Sequence, residues 1–145
     1  MEQIERIARE FRYAINEAIS ESGYVGGELD TFPIASCEVT SQMLGLYLLE
    51  LGYENVIATF NQRPKREPSE IGSDSHVWLV VNGSVIVDIT ADQYDDCINE
   101  VVVSENSKFH QTFTYYSNRE LDLSRPGSSG YSEFYEQVKQ RLQNV

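Results

Sequence analysis

The sequence predicts an α+β fold, with helices at both ends and an antiparallel sheet between them. Three observations predict it. Ile4, Ile7, Ala8, Phe11, Ile15, Ala18 and Ile19 recur at helical spacing over residues 2–21. The run "SHVWLVVNGSVIVDIT" sets two apolar strands around Asn82-Gly83, the strongest short hairpin signal. Helical spacing then returns near the C-terminus, where Tyr131, Phe134, Tyr135, Val138 and Leu142 share one face. Helices, then strands, then a helix is the α+β order rather than the alternation of a parallel sheet.

Each element can be justified in turn. Ser22-Gly23 stops the first helix, and a glycine-rich loop with Pro33 follows over 23–36. A second helix is expected from about Ser36 to Leu51. Ser36 suits its N-cap, Glu38 its first turn and Gly52 its stop. Val39, Met43, Leu44, Leu46, Tyr47, Leu48 and Leu51 surround most of this helix, so it must be buried on several sides. "NVIATF" reads as a strand. Residues 61–75, with Pro64 and Pro68, read as a polar surface loop holding Arg63, Lys65 and Arg66. "EVVVS" and "HQTFTYY" read as further strands, and Tyr131–Leu142 as the last helix.

The chain's 145 residues fit one domain, 1–145, with room for one core, and 41% hydrophobic content is enough to fold it. A net charge of −12 argues against general nucleic-acid binding, which relies on basic residues to neutralise phosphates. No apolar run is long enough for a membrane span. "MEQIERIARE" carries charge from its second residue and lacks an apolar signal region, so a soluble, cytoplasmic protein is expected. Its two cysteines are then expected to be thiols. No repeat, low-complexity block or glycine-rich phosphate loop is present, and no cofactor is expected.

One constellation carries chemistry. Cys37 opens the second helix, where unpaired N–H groups favour a thiolate. His76 opens one strand of the hairpin and Asp88 lies near the end of the other. A histidine can take a thiol's proton and return it to a leaving group. A carboxylate on the far ring nitrogen fixes the tautomer and supports the imidazolium. Taken singly, each residue has a plainer use: a buried inert thiol, a hydrogen-bonded strand histidine, a strand-end cap.

The pattern resembles the transglutaminase-like branch of the papain-like cysteine enzymes. "HVWLVV" supplies His76 and Trp78 in a His-x-Trp arrangement, and "VDIT" supplies Asp88 and Thr90 in Asp-x-Thr. The likeness covers about residues 32–94. Arylamine acetyltransferases and lasso-peptide maturation peptidases share the same Cys-His-Asp logic. The resemblance implies a papain-like core and a catalytic set of Cys37, His76 and Asp88. The chain departs from the family in two respects. Ser36 and Glu38 flank Cys37 where transglutaminases place a Trp, and the acetyltransferases' Arg-Gly-Gly stretch is missing. The substrate and the acyl acceptor therefore stay open.

Geometry makes a demand on this reading. A two-residue turn at Asn82-Gly83 pairs Val81 with Ser84, sets His76 opposite Ile89, and points His76 and Asp88 to opposite faces. One extra residue in the loop sets Trp78 opposite Asp88 and returns His76 to Asp88's face. The site therefore requires an odd loop or a bulge.

Other residues offer alternatives. Asp74 and Asp92 flank the hairpin and can replace Asp88. Gln93 is a candidate oxyanion donor, against the plainer reading of an exposed turn residue, and backbone N–H groups at Cys37 suit that role better. Cys37, His76, Cys97 and His110 are ligand types for zinc, yet they show no close pair spacing, so no metal is expected. Cys97 lies beside two carboxylates, which raise a thiol's pKa. Tyr24, Tyr94, Tyr115 and Tyr116 either line a cleft or pack as core aromatics.

Two functions follow. The first is a cysteine-dependent acyl-transfer enzyme acting on an amide or peptide bond through a thioester, as peptidase, deamidase or transferase. Its partner is then a peptide, a protein or a small amide. The second is a small acidic binding or immunity-type protein on the same fold, with an inert triad.

Overall fold

The computed structural model describes residues 1–22, 27–65, 73–123 and 131–143. The chain forms α1 (Glu2–Ser22), a 3-10 turn (Gly27–Thr31), α2 (Cys37–Glu50), β1 (Val56–Pro64), β2 (Ser73–Val81) and β3 (Val85–Asp88). A second 3-10 turn (Ala91–Gln93), β4 (Val102–Ser104), α3 (Lys108–Gln111), β5 (Thr114–Arg119) and α4 (Ser132–Gln143) complete it. The expected α+β architecture is present, with N-terminal helices, a C-terminal helix and a five-stranded antiparallel sheet in the order β4-β3-β2-β1-β5.

The two faces of the sheet do different jobs. Val56, Ala58, Val77, Leu79, Val81, Val85 and Val87 join Phe11, Ile15, Met43, Leu44 and Leu48 in the helix-covered core. His76, Trp78 and Asp88 alternate to the opposite face and are buried too. That second face is covered by Tyr94, Phe109, His110 and Phe113 from the chain after β3. α2 packs against both β1 and β2, and Phe11 of α1 meets its Tyr47 at 5.4 Å, which explains its nearly all-round apolar surface.

Three expectations need correction. β1 runs on to Pro64 and β2 begins at Ser73, so the loop expected over 61–75 is shorter. Arg63 lies within β1 and is 4% exposed rather than on a surface loop; of its expected neighbours, Arg66 lies outside the described residues. "HQTFTYY" is not one strand, because residues 108–111 form α3 and pairing with β1 starts only at Thr114. Ser36 occupies the N-cap position of α2 without a side-chain capping bond, and its Oγ donates to Ile34 O instead. No helix among the described residues is long and apolar enough to cross a membrane.

Candidate active site

The β2–β3 hairpin decides whether the site can exist. Asn82 and Gly83 have φ of +56° and +81°, the left-handed values that an Asn-Gly turn favours. The ladder nevertheless closes with Val81 opposite Val85, leaving Ser84 outside it. Leu79 faces Val87, so the same register carries Trp78 opposite Asp88. The extra residue puts His76 on the face of Asp88, as its diagonal neighbour. Nε2 of His76 lies 2.6 Å from Oδ2 of Asp88, and both side chains are fully buried.

Asp88 is completely satisfied. Oδ1 accepts the Thr90 N–H at 2.9 Å, and Oδ2 also receives Nε2 of His110 at 2.6 Å. Burial opposes ionisation of Asp88, but the charge of His76 and the hydrogen bonds from His110 and His76 win, and hold its pKa well below the usual carboxylate range. Burial likewise opposes a charged His76. The Asp88 charge and hydrogen bond, followed by those of Cys37, overcome it and raise His76 to about 10. Cys37 is thus coupled electrostatically to His76. With Nε2 committed to Asp88, Nδ1 is the ring nitrogen not held by a carboxylate.

Cys37 is the first residue of α2, whose opening N–H groups have no acceptor within the helix. Ala35, two residues earlier, sits at φ +59°, a left-handed conformation that costs a non-glycine residue on the order of 1 kcal/mol. Gln93 ties the two halves of the site together. Its Oε1 accepts the Ala35 N–H at 3.3 Å, and its Nε2 lies 3.0 Å from His76 Nδ1. It is thus a half-buried bridge, not a free turn residue.

Two buried arginines hold the segment after β3 in place. Arg12 of α1 donates to Ile89 O at 2.7 Å and grips Asp92 with both terminal nitrogens. Arg63 of β1 binds Asp96 with both terminal nitrogens, donates to Asp74 and Thr112, and lies over the rings of Tyr94, Phe109 and Phe113. Asp74 and Asp92 are therefore committed to arginines, and Asp88 alone among the three carboxylates reaches His76. Tyr94 packs on the His76 ring at 5.4 Å. Burial first, and then the Cys37 charge, push its phenol pKa well above the ordinary value.

The remaining candidates fall elsewhere. Cys97 contacts Asn99 O at 3.7 Å. Burial raises its pKa, the Asn99 contact opposes this, and Asp88, Asp96 and Asp92 add to the rise. Tyr115 and Tyr116 are exposed on β5, and Tyr24 lies outside the described residues. Among the described residues, Cys37, His76, Cys97 and His110 form no common ligand cluster. Instead the ligand atoms of His76, Asp88 and His110 fall within 4.8 Å of one another. A tetrahedral zinc with bonds of about 2.0–2.1 Å spaces its donors roughly 3.3 Å apart. The two N–O separations of 2.6 Å here are those of hydrogen bonds.

His110, which the sequence offers only as a zinc-ligand type, is the member whose place beside Asp88 has no sequence signal. The sequence places it at the start of a strand, whereas Ser107 caps a single helical turn by accepting the His110 N–H at 3.3 Å. The "SKFH" spacing is the one local signal for that turn. No family model matches this chain, and comparisons with curated proteins and with solved structures find no match either.

Proposed function

We propose that this protein is a cysteine-dependent acyl-transfer enzyme on a papain-like, transglutaminase-like core, acting on an amide or peptide bond. The observation that carries the reading is the buried His76–Asp88 pair, with Nε2 held 2.6 Å from Oδ2, together with Cys37 at the start of α2 and coupled electrostatically to His76. Cys37 is the nucleophile, His76 the proton carrier and Asp88 the group that orients it.

The chemistry runs in two halves. His76 already carries the proton as an imidazolium, and the Cys37 thiolate attacks the substrate carbonyl carbon. First-turn N–H groups of α2 receive the charge developing on the carbonyl oxygen. The C–N bond then breaks, the imidazolium returns its proton to the departing nitrogen, and a thioester remains on Cys37. Water or an amine attacks the thioester, His76 takes the attacker's proton, and the thiolate is regenerated. Water gives hydrolysis or deamidation; an amine gives transfer.

The amide of Gln93 on Nδ1 favours a second reading, an acidic binding module in which His76 is already occupied. An activated acyl ester separates the two. Peptide mapping should find the acyl group on Cys37 well ahead of Cys97, and His76→Ala should slow its arrival. Equal acylation of both cysteines would leave the binding module standing.

A further inference from the structure

Two histidines from different parts of the chain donate to one oxygen atom. His76 comes from β2 and His110 from α3, and each places Nε2 2.6 Å from Oδ2 of Asp88. The far side of His110 is anchored as well, because its Nδ1 lies 2.6 Å from Ser107 Oγ, which also accepts the His110 N–H. The ring is 3% exposed and packs edge-on against Trp78 at 4.6 Å and Phe109 at 4.9 Å. A buried ring held this way is not a solvated surface group. We propose that His110 is a positioning residue: through the shared oxygen it holds Asp88 in the rotamer that faces His76, and it takes up part of the carboxylate charge that His76 would otherwise receive alone.

The physical argument concerns one acceptor with two donors. A carboxylate oxygen has two lone-pair directions, and here both are used. Two N–H groups on one oxygen draw on the same electron density, so each bond is weaker than it would be alone. Removing His110 therefore frees the carboxylate to turn and strengthens the remaining bond to His76. A histidine that holds its proton harder returns it to a leaving group more slowly. The charged and titratable groups that bear on His76 are Asp88 from β3, His110 from α3, Cys37 from α2 and Tyr94 from the chain after the second 3-10 turn. This inference takes its catalytic meaning from the thiol-enzyme reading, but its primary readout does not depend on any activity.

The test is proton and nitrogen NMR of the imidazole groups in the full chain. The wild type should show two far-downfield Nε2–H signals, one for each histidine, and Asp88→Asn should move both. His110→Leu should remove one signal and carry the His76 signal further downfield. His110→Gln, which restores an N–H donor near Oδ2, should bring it part of the way back. Ser107→Ala, which leaves the ring and removes its anchor, should shift the His76 signal in the same direction by less, and it keeps the proposal open to test if His110→Leu does not fold. A His76 signal that stays unmoved in the folded variants would overturn the proposal. Alkylation of Cys37 by iodoacetamide in the same samples tests the other reading separately. A rate that is the same with and without His76 would remove the enzyme, while the NMR result would still decide the role of His110.

Discussion

Nε2 of His76 lies 2.6 Å from Oδ2 of Asp88 because Ser84 stands outside the β2–β3 ladder. Without that one residue, the period of two along each strand would send the two side chains to opposite faces of the sheet. β3 ends at Asp88, so the chain leaving it passes close to His76 and delivers Gln93 to Nδ1. A single loop residue thus couples hairpin geometry to the protonation chemistry of the site.

The pair makes stability depend on pH in a defined way. Asp88 has a folded pKa depressed below its ordinary 3.8, so its contribution is present above that value and is lost as pH falls toward the folded value. His76 is raised from 6.5 to about 10, so its contribution is full below 6.5 and is lost as pH rises through about 10. Both contributions are full together between about pH 4 and 6.5. Urea midpoints should therefore fall from pH 6.5 toward pH 10 in the wild type. Asp88→Asn should flatten that decline, while general repulsion from the net charge of −12 affects the two proteins alike. Parallel curves for both proteins would show that the pair is not linked to folding.

Arg63 should matter to the fold far more than a surface arginine. Its side chain is 3% exposed and neutralises Asp96 and Asp74 at once. Arg63→Ala leaves both carboxylates without that cation and strips three aromatic rings of a packing partner. A loss of about 3 kcal/mol is expected, at the lower end for breaking a buried pair because Asp96 is partly solvated and Lys65 still reaches Asp74. Equilibrium unfolding measures it. A loss under about 0.5 kcal/mol, the scale of ordinary surface changes, would contradict the clamp.

What the sequence disclosed was whatever follows from local periodicity. α1, α2 and α4 show in their apolar spacing, and the hairpin shows in Asn82-Gly83. The demand for an extra loop residue came from counting alternation along the two strands, and Val81 facing Val85 meets it. Arg63 was hidden because a charged residue just before Pro64 in a polar stretch looks solvated, and only tertiary folding supplies Asp96 and the three rings that bury it. His110 was hidden because α3 is one turn long and carries no periodic signal. Its contact with Asp88 spans 22 residues of chain and has no local signature.

Cys37→Ala should separate chemistry from folding. Cys37 is half-buried and packs at the rim of the core, so removing its sulfur should cost on the order of 1 kcal/mol. Acyl transfer should disappear altogether. Unfolding midpoints and acyl-probe labelling on the same sample make the comparison. A variant that still accepts an acyl group elsewhere on the chain at the wild-type rate would rule out Cys37 as the nucleophile.

His76→Ala and Asp88→Asn should fail in different ways, and the difference tests the order of the relay. His76→Ala removes the proton carrier and the partner of the thiolate together, so both thiol labelling and turnover should collapse. Asp88→Asn keeps the shape of the side chain but offers an amide where a carboxylate stood. Its N–H₂ can face the histidine as a donor, which turns the ring to the other tautomer and withdraws support from the imidazolium. In the serine-protease template the equivalent change costs on the order of 10⁴ in rate. Here the atom at the Oδ2 position faces His76 and His110 together, so an N–H₂ turned there, with the amide oxygen left to the Thr90 N–H, deprives both histidines of their acceptor. Turnover should therefore fall by a comparable order, while labelling of Cys37 by a small electrophile falls less, since alkylation needs a thiolate but no returned proton. If the binding-module reading is right, all three variants keep partner affinity and cellular effect. Measuring labelling, turnover and phenotype across Cys37→Ala, His76→Ala and Asp88→Asn decides between the two, and a wild-type phenotype from Cys37→Ala would end the enzyme reading.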